Sequence, residues 1–167
     1  MRRYLPRYKR CFVCGNENPK GLDAQPFLEN NQVKIEFCPQ DAHMGFKDVV
    51  HGGILAALLD EASYWAATLA TRSVCVTADM SVRYQKPLPV HLPTVTYAHL
   101  VERRGRRRII IESCTRDAEG QEYARATSTF MTVPGDLAEA FSDDPSIAQV
   151  DFAAYPIEPF DASGVSP

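Results

Sequence analysis

The chain has 167 residues, 45% of them hydrophobic and 23% charged, with a net charge of −3 at pH 7. That length suits one domain with a real core, and neither the mild acidity nor any apolar run speaks for nucleic acid, a membrane surface or a membrane span. Five cysteines (11, 14, 38, 75 and 114) are an odd number, and the first ten residues lack the apolar stretch of a secretory signal, so a cytoplasmic protein with reduced thiols is expected.

Residues 1–10 are basic and irregular and read as a loose arm. A turn-rich segment follows, Cys11-Phe12-Val13-Cys14-Gly15 and then Asn18-Pro19-Lys20-Gly21-Leu22. Cys-x-x-Cys is half of a zinc site, and zinc takes a second pair of ligands. The other cysteines stand alone in or near apparent strands, so no metal is expected and the pair reads as small buried side chains. Over residues 32–39, Val33, Ile35 and Phe37 alternate with Lys34, Glu36 and Cys38, the pattern of a half-buried strand. Residues 40–50 are a connecting loop that holds His43 and Gly45. A lone histidine is usually structural, with lining a pocket as the functional alternative for His43.

The run from Val50 to Ala62 opens the chain's only long helical pattern. Ile54, Leu55, Leu58, Leu59, Ala62, Trp65, Ala66 and Leu69 share one broad face. Asp60, Ser63, Tyr64, Thr68 and Thr71 fall opposite, interspersed with alanines that leave room beside the carboxylate. Four strands follow. In 74–84, Val76, Ala78, Met80, Val82 and Tyr84 are placed on one face; after a Pro-rich break come 94–103 and 106–116, joined at Gly105, and finally 122–133. Consecutive strands with short turns form an antiparallel sheet, and the apolar helix must cover one face of it, an α+β arrangement. Arg103, Arg104, Arg106, Arg107 and Arg108 crowd the turn at Gly105. Guanidinium clusters suit phosphates, although a charged hairpin tip is more often simply solvated. Without an aromatic-rich basic face, nucleic acid is not expected. From residue 135 onward prolines and acids recur without periodicity, with Phe141, Phe152, Tyr155 and Phe160 as possible surface anchors. The domain therefore spans 11–134, between the basic arm and an acidic extension at 135–167.

Chemistry concentrates at the helix start. His51-Gly52-Gly53 puts two glycines where a helix leaves its N–H groups unpaired and partly positive. Without side chains there, a ligand oxygen can approach those donors as in an oxyanion site, with Asp60 about two turns further on. The plainer reading is a tight turn followed by a solvated acid.

His51-Gly52-Gly53 with Asp60 and Ala62 resembles the signature of hotdog-fold acyl-CoA thioesterases, nearest the phenylacetate-degradation type of the 4-hydroxybenzoyl-CoA thioesterase superfamily. The strand from Val76 to Tyr84 with Pro87, and the segment with Cys11, Cys14, Gly15, Pro19, Gly21 and Leu22, strengthen the likeness, which covers about residues 11–133. The resemblance implies a curved antiparallel sheet wrapped around a central helix. It also implies a homodimer or dimer of dimers, with the acyl-CoA at the interface and no cofactor beyond the CoA of the substrate. The thioester carbonyl would face the Gly52 N–H with Gly53 close by, and Asp60 of the other subunit would serve as general base or nucleophile. His51 would orient the loop or touch the thioester, Thr77 would help hold the water, and His43 and Arg106–Arg108 would contact substrate. Gly45 stands where some relatives have an amide side chain, and Asp60 where others have Glu. A non-catalytic acyl-CoA binder is the alternative on the same fold, with a hotdog dehydratase behind it.

Overall fold

Helix α1 (Gly52–Thr71) is the axis of the molecule. In the computed structural model the described residues are 1–105, 107–134 and 150–156. Around α1 runs a seven-stranded antiparallel sheet. In chain order its strands are β1 (Arg3–Tyr4), β2 (Pro26–Glu29), β3 (Gln32–Phe37), β6 (Cys75–Tyr84), β7 (Thr94–Arg104), β8 (Arg108–Arg116) and β9 (Glu122–Thr132). Their spatial order is β1-β2-β3-β7-β8-β9-β6, and a separate hairpin, β4 (Met44–Phe46) with β5 (Val49–Val50), leads into the helix. The α+β fold and the main strands agree with the sequence pattern.

The helix packs on β3, β6, β7, β8 and β9. Leu58, Trp65 and Ala66 meet Ile35, Ile109, Ile111 and Phe130 in the main core; Leu55 and Leu59 meet Val50, Leu88 and Tyr123 in a second cluster. Each large side chain so buried stabilises the fold by roughly 1.5–3 kcal/mol relative to exposure. Burial reaches further around α1 than its apolar stripe predicts. Ser63, Ala67 and Thr68 are fully buried, although the wheel assigns them to the open side. Ser63 is accommodated because its Oγ donates to Leu59 O at 2.7 Å and lies 3.0 Å from Ser113 Oγ of β8. A sheet that wraps the helix leaves it little solvent face.

Two further expectations change. Residues 1–10 are not a loose arm: Arg3 and Tyr4 pair with Leu28 and Phe27, Leu5 is buried, and Arg2 lies over the Phe27 ring and bonds Glu36. In β6 the face assignment breaks at Ala78, because Thr77 pairs with Phe130 while Asp79 pairs with Thr129. That bulge shifts the alternation by one residue. Cys75 and Thr77 reach the helix before it, Met80, Val82 and Tyr84 after it, and Val76 points to solvent. Near the other end of the chain, Val150, Phe152 and Tyr155 pack on the main core, and Tyr155 Oη donates to Tyr4 O at 3.0 Å. Phe141 and Phe160 lie outside the described residues. No described helix is long and apolar enough to cross a membrane.

Candidate active site

At the start of α1, His51 is the N-cap: its backbone is extended (φ −61°, ψ 132°), and its Nδ1 accepts the Gly53 N–H at 2.9 Å. A ring nitrogen that accepts carries no proton, so the neutral ring holds its proton on the exposed Nε2. The Gly53 N–H is therefore already engaged. The Ile54 N–H donates to His51 O. Among the described residues nothing accepts the Gly52 N–H, the first orphan donor of the helix. Tyr84, at the end of β6, donates its Oη to Gly52 O at 3.0 Å. Its ring stands so close that a Cβ on residue 52 would lie 3.2 Å from Cε1, Cζ and Oη. Glycine here keeps Tyr84 against the helix end and the amide accessible.

These groups border a cleft of about 480 Å³ whose walls include Phe46, His51, Gly52, Leu55, Tyr84 and Lys86. His43 does not line it. Its ring packs on Phe37 (centroids 5.1 Å apart), its Nδ1 accepts the Gln40 N–H, and its carbonyl receives the His51 N–H at 2.8 Å. Burial lowers the basicity of the His43 ring. Its part in the site is to hold the N-cap backbone in place. Phe46, Tyr84 and Lys86 were not marked as site residues in the sequence; an aromatic and a lysine flanking a Pro-rich turn carry no pattern of their own.

Asp60 is half-buried and accepts a 2.8 Å hydrogen bond from Thr77 Oγ1. Burial raises its pKa above the ordinary carboxylate value, and the Thr77 hydroxyl partly offsets that. Among the described residues no cation pairs with it. Asp60 follows Gly52 by eight residues, about 12 Å along the helix. Arg108 pairs with Met131 and Met131 with Val76, so the arginine turn sits at the Thr77 end of β6, not at the Tyr84 end that borders the cleft. Arg107 and Arg108 are exposed there, and Arg106 lies outside the described residues.

Residues 47–124 match the family model described as the thioesterase superfamily. The match is to thioesterases. It spans Gly52, Asp60, Thr77 and Tyr84. No curated protein matches the chain. Among solved structures, one thioesterase superfamily protein is 27% identical, with a TM-score of 0.67, covering 74% of this chain and 60% of its own. This chain thus spans less than two thirds of that relative. A phenylacetic acid degradation-related protein of Ralstonia eutropha, described as a thioesterase candidate, is 25% identical over 66% of this chain and 86% of its own, with a TM-score of 0.57. The protein smu.793 of Streptococcus mutans, solved with acetyl CoA, is 23% identical over 64% of this chain and 84% of its own, with a TM-score of 0.58, a likeness of fold. The resemblance to hotdog thioesterases is borne out, and the helix-on-sheet architecture is the hotdog fold.

Proposed function

We propose that the protein hydrolyses acyl-CoA thioesters to a free acid and CoA, at sites shared between two copies of the chain. The observation that carries this reading is the pair of complementary half-sites on one thioesterase-type helix. One is the Gly52 N–H at the cleft, which no described residue accepts, and the other is the half-buried Asp60, which no described cation pairs, about 12 Å away. A donor must sit about 3 Å from the developing oxyanion and a base within hydrogen-bond reach of its water. Two groups separated by 12 Å do not meet at one carbonyl, so each needs the other from a second chain.

The sheet supports that second chain. Among the described residues the ten-residue β6 pairs with β9 on one side and has no partner on the other, and it exposes Val76 and Tyr84. A long open edge is a template for another strand. Antiparallel, two-fold pairing of β6 with its copy turns one strand end for end. The partner's Asp60, Thr77 and arginine turn then approach the Gly52 and Tyr84 end of the first chain. The Gly52 N–H, strengthened by the helix dipole, stabilises the charge growing on the carbonyl oxygen. Thr77 anchors Oδ1 of Asp60, and no described donor reaches Oδ2. That oxygen takes the proton from water as the water attacks the carbonyl carbon, and collapse of the tetrahedral intermediate expels the CoA thiolate. CoA enters only as part of the substrate, and no separate cofactor takes part. Arg107 and Arg108, with Arg106, meet the CoA phosphates.

The test is thiol release from a panel of aryl-, short- and medium-chain acyl-CoAs, with wild type beside Asp60→Asn. Wild type should turn over at least one ester, and Asp60→Asn should lose about 100-fold or more in turnover, within the range for general acid–base groups. Equal rates from both, or silence from wild type across the panel, overturns the proposal.

A further inference from the structure

Outside the lining of the cleft, Cys11, Cys14 and Glu61 bring two sulfurs and a carboxylate oxygen within 4.8 Å of one another. We propose that these three side chains bind a thiophilic divalent cation, zinc by preference, which fastens the N-terminal segment to the helix. The site shares no residue with the hydrolytic reading.

Several independent features point to a ligand. The first is the loop. Cys11 to Gly15 folds back so that the Val13 N–H points at Cys11 Sγ (3.3 Å) and the Gly15 N–H at Cys11 O (3.1 Å). Backbone donors aimed at a sulfur stabilise a thiolate, the form that binds metal. A side chain at residue 15 is excluded, since a Cβ there would lie 2.6 Å from both Cys11 N and Lys9 O. Arg7 locks the loop from outside, its Nε donating to Cys14 O at 2.7 Å.

The second is the distance across the cluster. Cys11 Sγ and Glu61 Oε2 stand 3.5 Å apart. A tetrahedral zinc, with bonds of about 2.3 Å to sulfur and about 2.0 Å to oxygen, separates such ligands by about 3.5 Å. The third is the set of the carboxylate. Trp65 Nε1 donates to Glu61 Oε1 at 3.2 Å, which leaves Oε2 turned toward the sulfurs. An outer partner that orients a ligand oxygen in this way is a regular feature of metal sites.

Three acids packed this closely repel one another when ionised. A divalent cation held between them removes that repulsion. Two thiolates select a soft or borderline ion over calcium or magnesium. With three protein ligands among the described residues, the fourth position belongs to water. The sequence showed only half of this site because its third ligand comes from the helix, far along the chain.

The test uses the full-length, fully reduced chain, stripped with a chelator and titrated with cobalt(II). The expected result is a sulfur-to-cobalt absorption band that saturates near one ion per chain and disappears on zinc addition, with zinc recovered from the protein as purified. Glu61→Gln, close in shape, should weaken cobalt binding by at least about 10-fold. Absence of the band in wild type at excess cobalt overturns the proposal without any variant. An undiminished affinity in folded Glu61→Gln overturns it as well, because the two sulfurs then bind without the carboxylate.

Discussion

Compared with alanine at the same position, proline at residue 52 removes one hydrogen-bond donor and almost nothing else. Residue 52 is the first residue of α1, where the N–H has no partner within the helix and where proline is well tolerated. The preceding residue already has the backbone that proline demands, His51 having φ −61° and ψ 132°. Gly52→Ala supplies the control. Both variants place a Cβ 3.2 Å from the Tyr84 ring and displace that exposed side chain equally, but only proline deletes the N–H. Loss of one oxyanion donor lowers turnover by about 10²–10³, roughly 2.7–4 kcal/mol of transition-state stabilisation. Gly52→Pro should therefore fall that far below Gly52→Ala in turnover number. Reduced freedom of the unfolded chain contributes about 0.4–1 kcal/mol of stability at a compatible site, so melting should stay put or rise by a few degrees. Steady-state thiol release and a thermal melt on the same samples read both quantities. If Gly52→Pro, folded and melting normally, turns over as fast as Gly52→Ala, the Gly52 amide does not hold the oxyanion.

The shared site is tested by mixing. Asp60→Asn and Gly52→Pro chains, each inactive alone, should form hybrid dimers with one intact site and recover about a quarter of wild-type activity after random exchange; a site within one chain recovers none. The proposed role of Asp60 needs its ionised form, and burial raises its pKa, so activity should fall on the acid side at a pH above the ordinary carboxylate range. Thr77→Val removes the hydrogen bond that favours the anion and should move that acid limb to still higher pH, as read from a pH–rate profile; an unmoved limb separates Thr77 from the titration. Replacing Arg106, Arg107 and Arg108 by alanine should raise KM for CoA esters with little change in turnover number, and an unchanged KM returns the turn to plain solvation.

What the sequence revealed, and what it withheld, divides by range. The helix, β3 and the four long strands after the helix are written in local periodicity and turn residues, and His51, Gly52 and Asp60 stand out by chemistry and spacing. Features decided by distant segments were not legible. Strand β1 exists because Arg3 and Tyr4 find Leu28 and Phe27, and two residues carry no period. The Ala78 bulge depends on the register with β9, and a strict alternation of two set Val76 on the wrong face. Ser63 reads as polar until Ser113 arrives from β8 to meet it. Glu61 reads as the neighbour of Asp60, not as a companion of Cys11.

The two borders of the sheet are unequal, and this sets a limit on how the chain can multiply. One border is the ten-residue β6, while the other is β1, two residues long, followed directly by Leu5 and Pro6. So short a border, ended by a residue without an N–H, offers an incoming strand almost no ladder. Once β6 has met its own copy, no long border is left to extend the ribbon. Under the proposed β6 pairing, strand addition would therefore terminate at a pair, which would protect a sheet-rich protein from growing into fibres, and a larger assembly would have to be built by stacking the faces of finished pairs.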